Sequence, residues 1–209
     1  MALRRHTVPR PFIPPPKAIS AVNRRLSTLP DGLRSHIEQS RATAIPIAHA
    51  LGVDLPRVDF ALAAHDLFRA ESDQALIEAA DRLGWQAESF ERQEPLMLHG
   101  PVAALWLASE GSVDDRSVLD SITYHTTFAP GLGRVAAAVF LADKVEPGKL
   151  ARGPWLADVD RLAKSGEAAG AIVAYLTQLS AQLRAEGATP HPRAAKVIDW
   201  LRGVGDLPA

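Results

Sequence analysis

The feature that most constrains this chain is a succession of Ala- and Leu-rich amphipathic segments, separated by short breaks at Pro and Gly. Ala and Leu have high helix propensities, and from residue 31 onward the apolar residues recur at helical spacing. The sequence has no convincing period-two apolar run of the kind that half-buried strands show. Hydrophobic residues make up 47% of the chain, which is enough for a sizeable core. The pattern predicts an all-α protein with a single domain.

Capping residues and helix breakers indicate where the helices begin and end. Asp31 is predicted to begin a helix that runs to about Leu51, with Gly52 at its end and a kink at Pro46. Residues 84–98 are predicted to form a loop. Further helices are predicted at residues 54–68, 72–83, 99–108, 114–126, 132–145 and 190–202, and within the amphipathic segment 156–186.

Residues 1–30 precede the main helical region and begin with a Pro- and Arg-rich stretch. Pro14, Pro15 and Pro16 impose an extended backbone that does not fit a helix interior. We predict a tail or a strap that lies across the surface, with a Pro-rich ligand for a peptide-recognition domain as the alternative. The helical domain is predicted to cover residues 31–203.

The charge and the cysteine content narrow the classes of function. The formal net charge is −1, so no global charge favours binding to nucleic acid or to a membrane surface. No run approaches the roughly 18 apolar residues of a membrane span, and the N-terminus lacks the apolar core of a secretory signal. We therefore predict a cytoplasmic protein. Because the chain has no cysteine, nitrogen and oxygen atoms must hold any bound metal.

Several titratable residues stand at the edges of apolar stretches, where they would face a helical core. Taken singly, a His is usually a surface or hydrogen-bonded core residue, and an Asp near a helix end is usually a cap. The pair His65-Asp66 follows the apolar run 60–64, and a buried charge without a partner is costly. A metal ion is the natural partner for an adjacent imidazole and carboxylate. The helical periodicity alone does not decide whether these residues share one metal site or have separate structural roles. The residues concerned are His36, His65, Asp66, His99, His125 and Asp143.

The short motifs around these residues, taken in order, resemble those of the HD-domain metal-dependent phosphohydrolases. The closer resemblance is to the YqeK-like branch, the symmetrical bis(5′-nucleosyl)-tetraphosphatases, and it covers about residues 31–202. One departure is Arg69, where the family often has Lys; Arg keeps the positive charge and adds a bidentate fork for phosphate. The motifs are Ser35-His36, Ala63-Ala64-His65-Asp66, Leu98-His99-Gly100, His125-Thr126-Thr127, Ala142-Asp143-Lys144, Glu146-Pro147 and His191-Pro192.

The resemblance implies an HD-type helical bundle that hydrolyses diadenosine tetraphosphate symmetrically to two ADP. It implies two metal ions, of which His36, His65, Asp66 and Asp143 would bind one, while His99 and His125 would bind the second, with Asp66 as a bridge. Such a pair suits the activation of a water for in-line attack at phosphorus. The resemblance favours iron, and nitrogen and oxygen ligands also suit manganese, cobalt, nickel or zinc.

The resemblance also implies which residues contact the substrate. Arg69 and Lys144 would supply the local positive charge that the near-neutral chain otherwise lacks. Pairing of Lys144 with Glu146 or with a helix end is the alternative, as is a turn-capping role for Thr127. The residues expected to act in catalysis are Asp66, Arg69 and Lys144, and those expected to bind substrate are Arg69, Thr126, Thr127 and Lys144.

Two other functions stay open at this point. One is a different HD-type enzyme, a nucleotidase or an alarmone hydrolase. Alarmone hydrolases usually have Glu-Asp shortly after His-Asp, where this chain has Arg69-Ala70, and nucleotidases usually lack counterparts of His99 and His125. The other is a non-catalytic helical interaction module that keeps a metal site. The expected binding partner is a small molecule, a dinucleoside polyphosphate. Binding to nucleic acid or to a membrane is not expected, and a homodimer is left open.

Overall fold

Helices make up nearly all of the regular structure in residues 11–208, the part of the chain that the computed structural model describes. Within these residues there are twelve α-helices, one 3₁₀-helix and no strand, which confirms the predicted all-α class. None of these helices is both long enough and apolar enough to cross a membrane. The α-helices are α1 Pro16–Leu26, α2 Asp31–Leu51, α3 Leu55–Ala64, α4 Asp73–Leu83, α5 Ser89–Gln93, α6 His99–Gly111, α7 Arg116–Thr123, α8 Arg134–Lys144, α9 Pro147–Arg152, α10 Leu156–Lys164, α11 Ala168–Ala185 and α12 Arg193–Val204, and the 3₁₀-helix is Pro95–Leu98.

Helix boundaries agree with the prediction where a capping residue marks them. Gly52 follows α2 in the left-handed conformation, with φ of 63°. The side chains of Asp54 and Ser72 each accept a main-chain hydrogen bond at the start of α3 and α4. Pro46 does not interrupt α2, which runs unbroken from residue 31 to 51 although Pro removes one main-chain hydrogen bond.

Three segments differ from the prediction. Residues 84–98 were predicted as a loop, but they contain α5 and the 3₁₀-helix, which are too short to show a helical period. The segment 156–186 is two helices, because Gly166 turns the chain between them with φ of 87°. Helix α8 ends within one residue of the predicted residue 145, but Pro147 then begins the unpredicted helix α9, because Pro is well suited to the first turn of a helix.

A helix also lies within the N-terminal segment that was predicted as a tail or strap. Pro16 is the first residue of α1, a position where its missing N–H is not needed. The helix buries Ala18, Ala21 and Val22 and packs against α6. Ahead of it, the Phe12 ring lies 5.7 Å from the ring of Phe60. Residues 1–10 of the predicted tail, which include His6, lie outside the described residues.

The core that positions the candidate site is formed by α2, α3, α7 and α8, which pack against one another, with α6 packed on α7. Their inward faces are apolar, with Ile37, Leu62, Ile122 and Leu141 almost fully buried. Burial of such side chains is the main favourable term in folding. The candidate site lies where α3 and α7 end, beside polar residues of α2 and α8.

Candidate metal centre

The six side chains that were singled out from the sequence converge on one buried site. Its members are His36, His65, Asp66, His99, His125 and Asp143. All of them except His36 are at most 2% exposed. The His36 side chain is 16% exposed, so this residue faces the opening of the site.

Asp66 lies at the centre of the cluster, and its two carboxylate oxygens face different histidines. Oδ1 lies 3.0 Å from His99 Nε2 and 3.3 Å from His125 Nε2. Oδ2 lies 3.5 Å from His36 Nε2 and 3.6 Å from His65 Nε2. A carboxylate with one oxygen toward each of two groups of imidazoles has the arrangement of a bridging ligand.

Asp143 lies on the same side of the cluster as His36 and His65. Its Oδ1 is 3.0 Å from His36 Nε2 and 3.7 Å from His65 Nε2. One ligand atom from each of these three residues fits within 4.8 Å of the others, and the same holds for His65, Asp66 and His125. Among the described residues, two overlapping groups could therefore each hold a metal ion.

The three buried histidines are oriented in the same way by the ends of helices. Each follows the end of a helical segment, where the last carbonyl groups lack helical partners. Each ring places Nδ1 on the main-chain carbonyl of the residue three positions earlier: His65 on Leu62 at 2.7 Å, His125 on Ile122 at 2.8 Å, and His99 on Leu96. A carbonyl oxygen only accepts, so Nδ1 carries the proton in each ring. The lone pair of a neutral ring is then on Nε2, which points into the cluster.

This arrangement fits a metal ion better than it fits hydrogen bonding within the protein. His65 Nε2 and Asp66 Oδ1 are buried and make no hydrogen bond within the described residues. The Nε2 atoms of His99 and His125 lie 2.9 Å apart. If both Nε2 atoms carry lone pairs, they repel at this distance. A cation would bind these nitrogen and oxygen atoms. Imidazole and carboxylate groups together are common ligands of transition metals.

The charges of the cluster are set by burial and by its own members. Burial acts to raise the pKa of Asp66, but the neighbouring imidazoles, first His65 and then His125 and His99, hold this pKa well below its usual range. Burial lowers the pKa of His125 to about 3. Burial also acts to lower the pKa of His65, but Asp66 and Asp143 raise it overall. The cluster therefore keeps Asp66 ionised and His125 neutral, as metal binding requires.

Basic side chains surround the second carboxylate, Asp143. Lys144 donates from Nζ to Asp143 Oδ2, and Lys149 donates to Asp143 Oδ1 at 2.6 Å and to its main-chain oxygen at 2.7 Å. Burial acts to raise the pKa of Asp143, but these two ammonium groups hold it well below its usual range. Lys144 thus pairs with Asp143 and not with Glu146. Lys149 was not predicted, because it lies in the short helix α9 that the sequence did not reveal.

Glu146 contacts the cluster through the outer ring nitrogen of His36. Its Oε1 lies 3.5 Å from His36 Nδ1, and its Oε2 accepts from the main-chain N–H of Gly148 at 2.6 Å. A carboxylate on the far nitrogen of an imidazole orients the ring and makes its other nitrogen a better ligand. Glu146 is therefore suited to orient His36.

The predicted substrate-binding residues lie around the cluster in different ways. Arg69 is 44% exposed and its Nε lies 3.7 Å from Asp66 Oδ2. Thr126 Oγ1 lies 3.1 Å from His125 Nε2. Thr127 Oγ1 instead accepts from Arg193 Nη1 at 3.0 Å, a contact with α12 that the sequence did not suggest. Arg69 and Thr126 are thus placed at the rim of the cluster, while Thr127 is held by Arg193.

Two of the remaining histidines lie outside the cluster. His49 is exposed near the C-terminal end of α2. The His191 ring packs against the Phe90 ring at an interplanar angle of 60°, with ring centroids 4.7 Å apart.

A basic cleft of about 390 Å³ opens directly beside the cluster. His36 and Glu146 lie in its wall, together with Arg69, Lys149 and Arg152. Arg binds phosphate through a bidentate fork, and Lys binds it as a point charge. This cleft therefore supplies the local positive charge that a polyphosphate needs and that the chain as a whole lacks.

Comparison with solved structures shows which fold this is. A crystal structure from Clostridium acetobutylicum, described as a predicted HD superfamily hydrolase involved in NAD metabolism, superposes with a TM-score of 0.82 at 19% identity. The match covers 89% of this chain and 97% of that one. The chain has the same fold as that structure. The fold that the motifs implied is thereby confirmed.

Curated relatives agree with the resemblance that the motifs carry. A protein of Bacillus subtilis (strain 168) is 30% identical over 125 residues, and one of Staphylococcus aureus (strain NCTC 8325 / PS 47) is 29% identical over 123 residues. Both are named symmetrical bis(5′-nucleosyl)-tetraphosphatase. The matches cover 59% and 58% of this chain, and the chain spans 64% and 62% of the relatives' lengths. No family model matches the sequence.

Proposed function

We propose that this chain is a metal-dependent phosphohydrolase that cleaves diadenosine tetraphosphate symmetrically into two ADP. The observation that carries the proposal is Asp66, whose two oxygens face two different groups of histidines at 3.0–3.6 Å. The names of the curated relatives supply the substrate and the symmetry of cleavage. We propose a cytoplasmic location for this activity, and a homodimer stays a prediction.

The residues would hold two metal ions in the following way. His36, His65 and Asp143 would bind one through Nε2 and carboxylate oxygen atoms, His99 and His125 would bind the other, and Asp66 would bind both. When bound, such a pair supplies Lewis-acid activation of the phosphoryl group and of the attacking water. We propose iron as the metal, on the strength of the family resemblance and of a ligand set without sulfur.

The surrounding residues would bind and orient the polyphosphate. Arg69 is proposed as the principal phosphate ligand, since its exposed guanidinium lies at the mouth of the cluster. Thr126 would donate its hydroxyl to a phosphate oxygen beside His125. Lys144 is buried against Asp143, so we propose that it acts mainly by holding that carboxylate ionised and oriented. Thr127, held by Arg193, would fix the turn that carries Thr126.

The test is a substrate panel on the purified chain, loaded in turn with iron, manganese, cobalt, nickel and zinc. The panel contains dinucleoside polyphosphates of different lengths, nucleoside monophosphates and guanosine tetraphosphate, and the products are separated by chromatography. Hydrolysis of diadenosine tetraphosphate to ADP alone is the expected result. Products AMP and ATP would contradict symmetric cleavage, and hydrolysis of only nucleoside monophosphates or guanosine tetraphosphate would favour the other HD-type enzymes.

A further inference from the structure

A second cleft, of about 530 Å³, lies next to the candidate metal centre. Thr126 lines this cleft and also lies 3.1 Å from His125 Nε2, so the cleft ends at the histidine side of the candidate metal centre. Its volume falls within the roughly 300–1,000 Å³ that is usual for small-molecule sites. Its lining includes Phe90, Met97, Leu176, Leu179, Leu183 and His191.

The two clefts beside the cluster differ in charge. The described lining of the larger cleft contains no Lys or Arg, and Glu94 adds an acidic group. The smaller cleft contains Arg69, Lys149 and Arg152. A polyphosphate is attracted to the basic cleft, whereas the described lining of the larger cleft offers it no cationic side chain. The larger cleft is therefore suited to an uncharged group with apolar faces.

His191 gives the larger cleft a polar atom without a partner. The main-chain N–H of Arg193 donates to His191 Nδ1 at 3.1 Å, so the proton of the neutral ring is on Nε2. Burial and the neighbouring Arg193 lower the pKa of this ring, which favours the neutral form. His191 Nε2 is buried and makes no hydrogen bond within the described residues. An unpaired buried N–H is costly, and an acceptor brought by a ligand would remove that cost.

We propose that the larger cleft binds a nucleoside of the substrate, with the base packed against Phe90 and a base acceptor atom paired with His191. This inference rests on the proposed function, because it assigns one end of the same substrate. The polyphosphate would then run from this cleft across the metal ligands into the basic cleft. A base has flat apolar faces and hydrogen-bonding edges, which match the Phe90–His191 pair and the apolar lining.

The test separates binding of a nucleoside from binding of phosphate. The affinities of the metal-loaded full chain for adenosine and for methylenediphosphonate, a diphosphate that is not hydrolysed, are measured by calorimetry. Phe90→Ala is expected to weaken adenosine binding by about tenfold, the usual scale for loss of an aromatic platform, and His191→Ala to weaken it as well. Both variants should bind methylenediphosphonate as the unaltered chain does.

Arg152→Ala is the reciprocal control, because Arg152 is exposed and lies in the basic cleft. It should weaken methylenediphosphonate binding and leave adenosine binding unchanged. Failure of the unaltered chain to bind adenosine, or unchanged adenosine affinity in both cleft variants with native circular dichroism, would overturn the inference. An equal loss of affinity for adenosine and for methylenediphosphonate in both Phe90→Ala and His191→Ala would also overturn the inference. The proposed function is tested separately by the hydrolysis assay. An enzyme that hydrolyses the substrate, but whose adenosine affinity is unchanged in both cleft variants, would refute this subsite and not the proposed function.

Discussion

The Nε2 atoms of His99 and His125 lie 2.9 Å apart, although both rings place Nδ1 on a main-chain carbonyl. Both nitrogens also lie within 3.3 Å of Asp66 Oδ1. Neutral imidazoles in this tautomer have nothing to donate to each other or to the carboxylate. This is the arrangement expected where a cation would complete the site.

Asp66→Ala is expected to abolish hydrolysis and to reduce the metal content of the purified chain. The reason is that this substitution removes the only side chain among the six that faces both groups of histidines. His65→Ala should act in the same direction. His49→Ala is the control, since this residue is exposed near the end of α2. Elemental analysis and a hydrolysis assay measure both properties, and loss of activity in His49→Ala would show that the ligands are assigned wrongly.

The His125 ring is expected to stay neutral, with the proton on Nδ1, as the pH of metal-free protein is lowered to about 4. Burial lowers the pKa of His125 from 6.5 to about 3. Between these values the unfolded chain binds a proton at this ring and the folded chain does not. The free energy of unfolding contributed by this residue therefore falls as the pH falls through that window.

The measurement for His125 is the nitrogen NMR spectrum of its ring as a function of pH. A residue-specific probe is needed because His65 has a raised pKa, and its contribution to stability changes with pH in the opposite direction. A His125 ring that is protonated on both nitrogens at pH 6 would contradict the proposed arrangement.

Gly100→Ala is expected to destabilise the protein by about 1–3 kcal/mol, the range for overpacking a dense core, and to lower activity. A Cβ at this position would lie 2.8 Å from the main-chain oxygen of Ile122 and 3.1 Å from His125 Cε1. The end of α7 that carries His125 would have to move. Chemical denaturation and the hydrolysis assay measure the two effects.

The matched control for Gly100 is Gly170→Ala in α11, where a Cβ would meet nothing within 4 Å. There the higher helix propensity of Ala should increase the free energy of unfolding by about 0.5–1 kcal/mol, with unchanged activity. Equal stability changes in the two variants would show that α6 and α7 do not approach as closely at Gly100 as described.

Arg25→Lys is expected to lower the free energy of unfolding by about 1–2 kcal/mol, the scale of a lost hydrogen bond from a charged donor. Arg25 Nε donates to the main-chain oxygen of Leu67 at 2.9 Å, directly after the His65-Asp66 pair, and its guanidinium lies 3.5 Å from the Phe68 ring centroid. Lys keeps the charge but lacks the planar fork. Arg24→Lys, an exposed neighbour on α1, should change stability by less than about 0.5 kcal/mol. Equal losses in the two variants would show that α1 does not hold this turn.

The sequence predicted those parts of the fold that depend on local signals. Helices α2 and α4 agree with the prediction because Gly52 and Ser72 act locally as cap residues. Helix α1 was missed because the prolines before it suggested an extended chain, although Pro16 is compatible with a first helical turn. Helix α5 has five residues, too few for a hydrophobic period to be visible.

The candidate site was predictable only as a set of residues. The motifs identified the six side chains, but their convergence depends on how α2, α3, α7 and α8 pack. The orientation of each buried ring follows from its place at a helix end. For His65 and His125 this place could have been predicted from the sequence, because each residue follows the end of an apolar helical segment. Lys149 and Arg193 were not predictable, because their partners Asp143 and Thr127 are brought to them by tertiary packing.

Anomalous diffraction from crystals of the iron-loaded protein, recorded at the iron absorption edge, tests the two-metal centre most directly. A two-metal centre predicts two peaks inside the cluster, one against His36, His65 and Asp143 and the other against His99 and His125, with the Asp66 carboxylate between them. A single peak, or no peak within reach of these side chains, would contradict it.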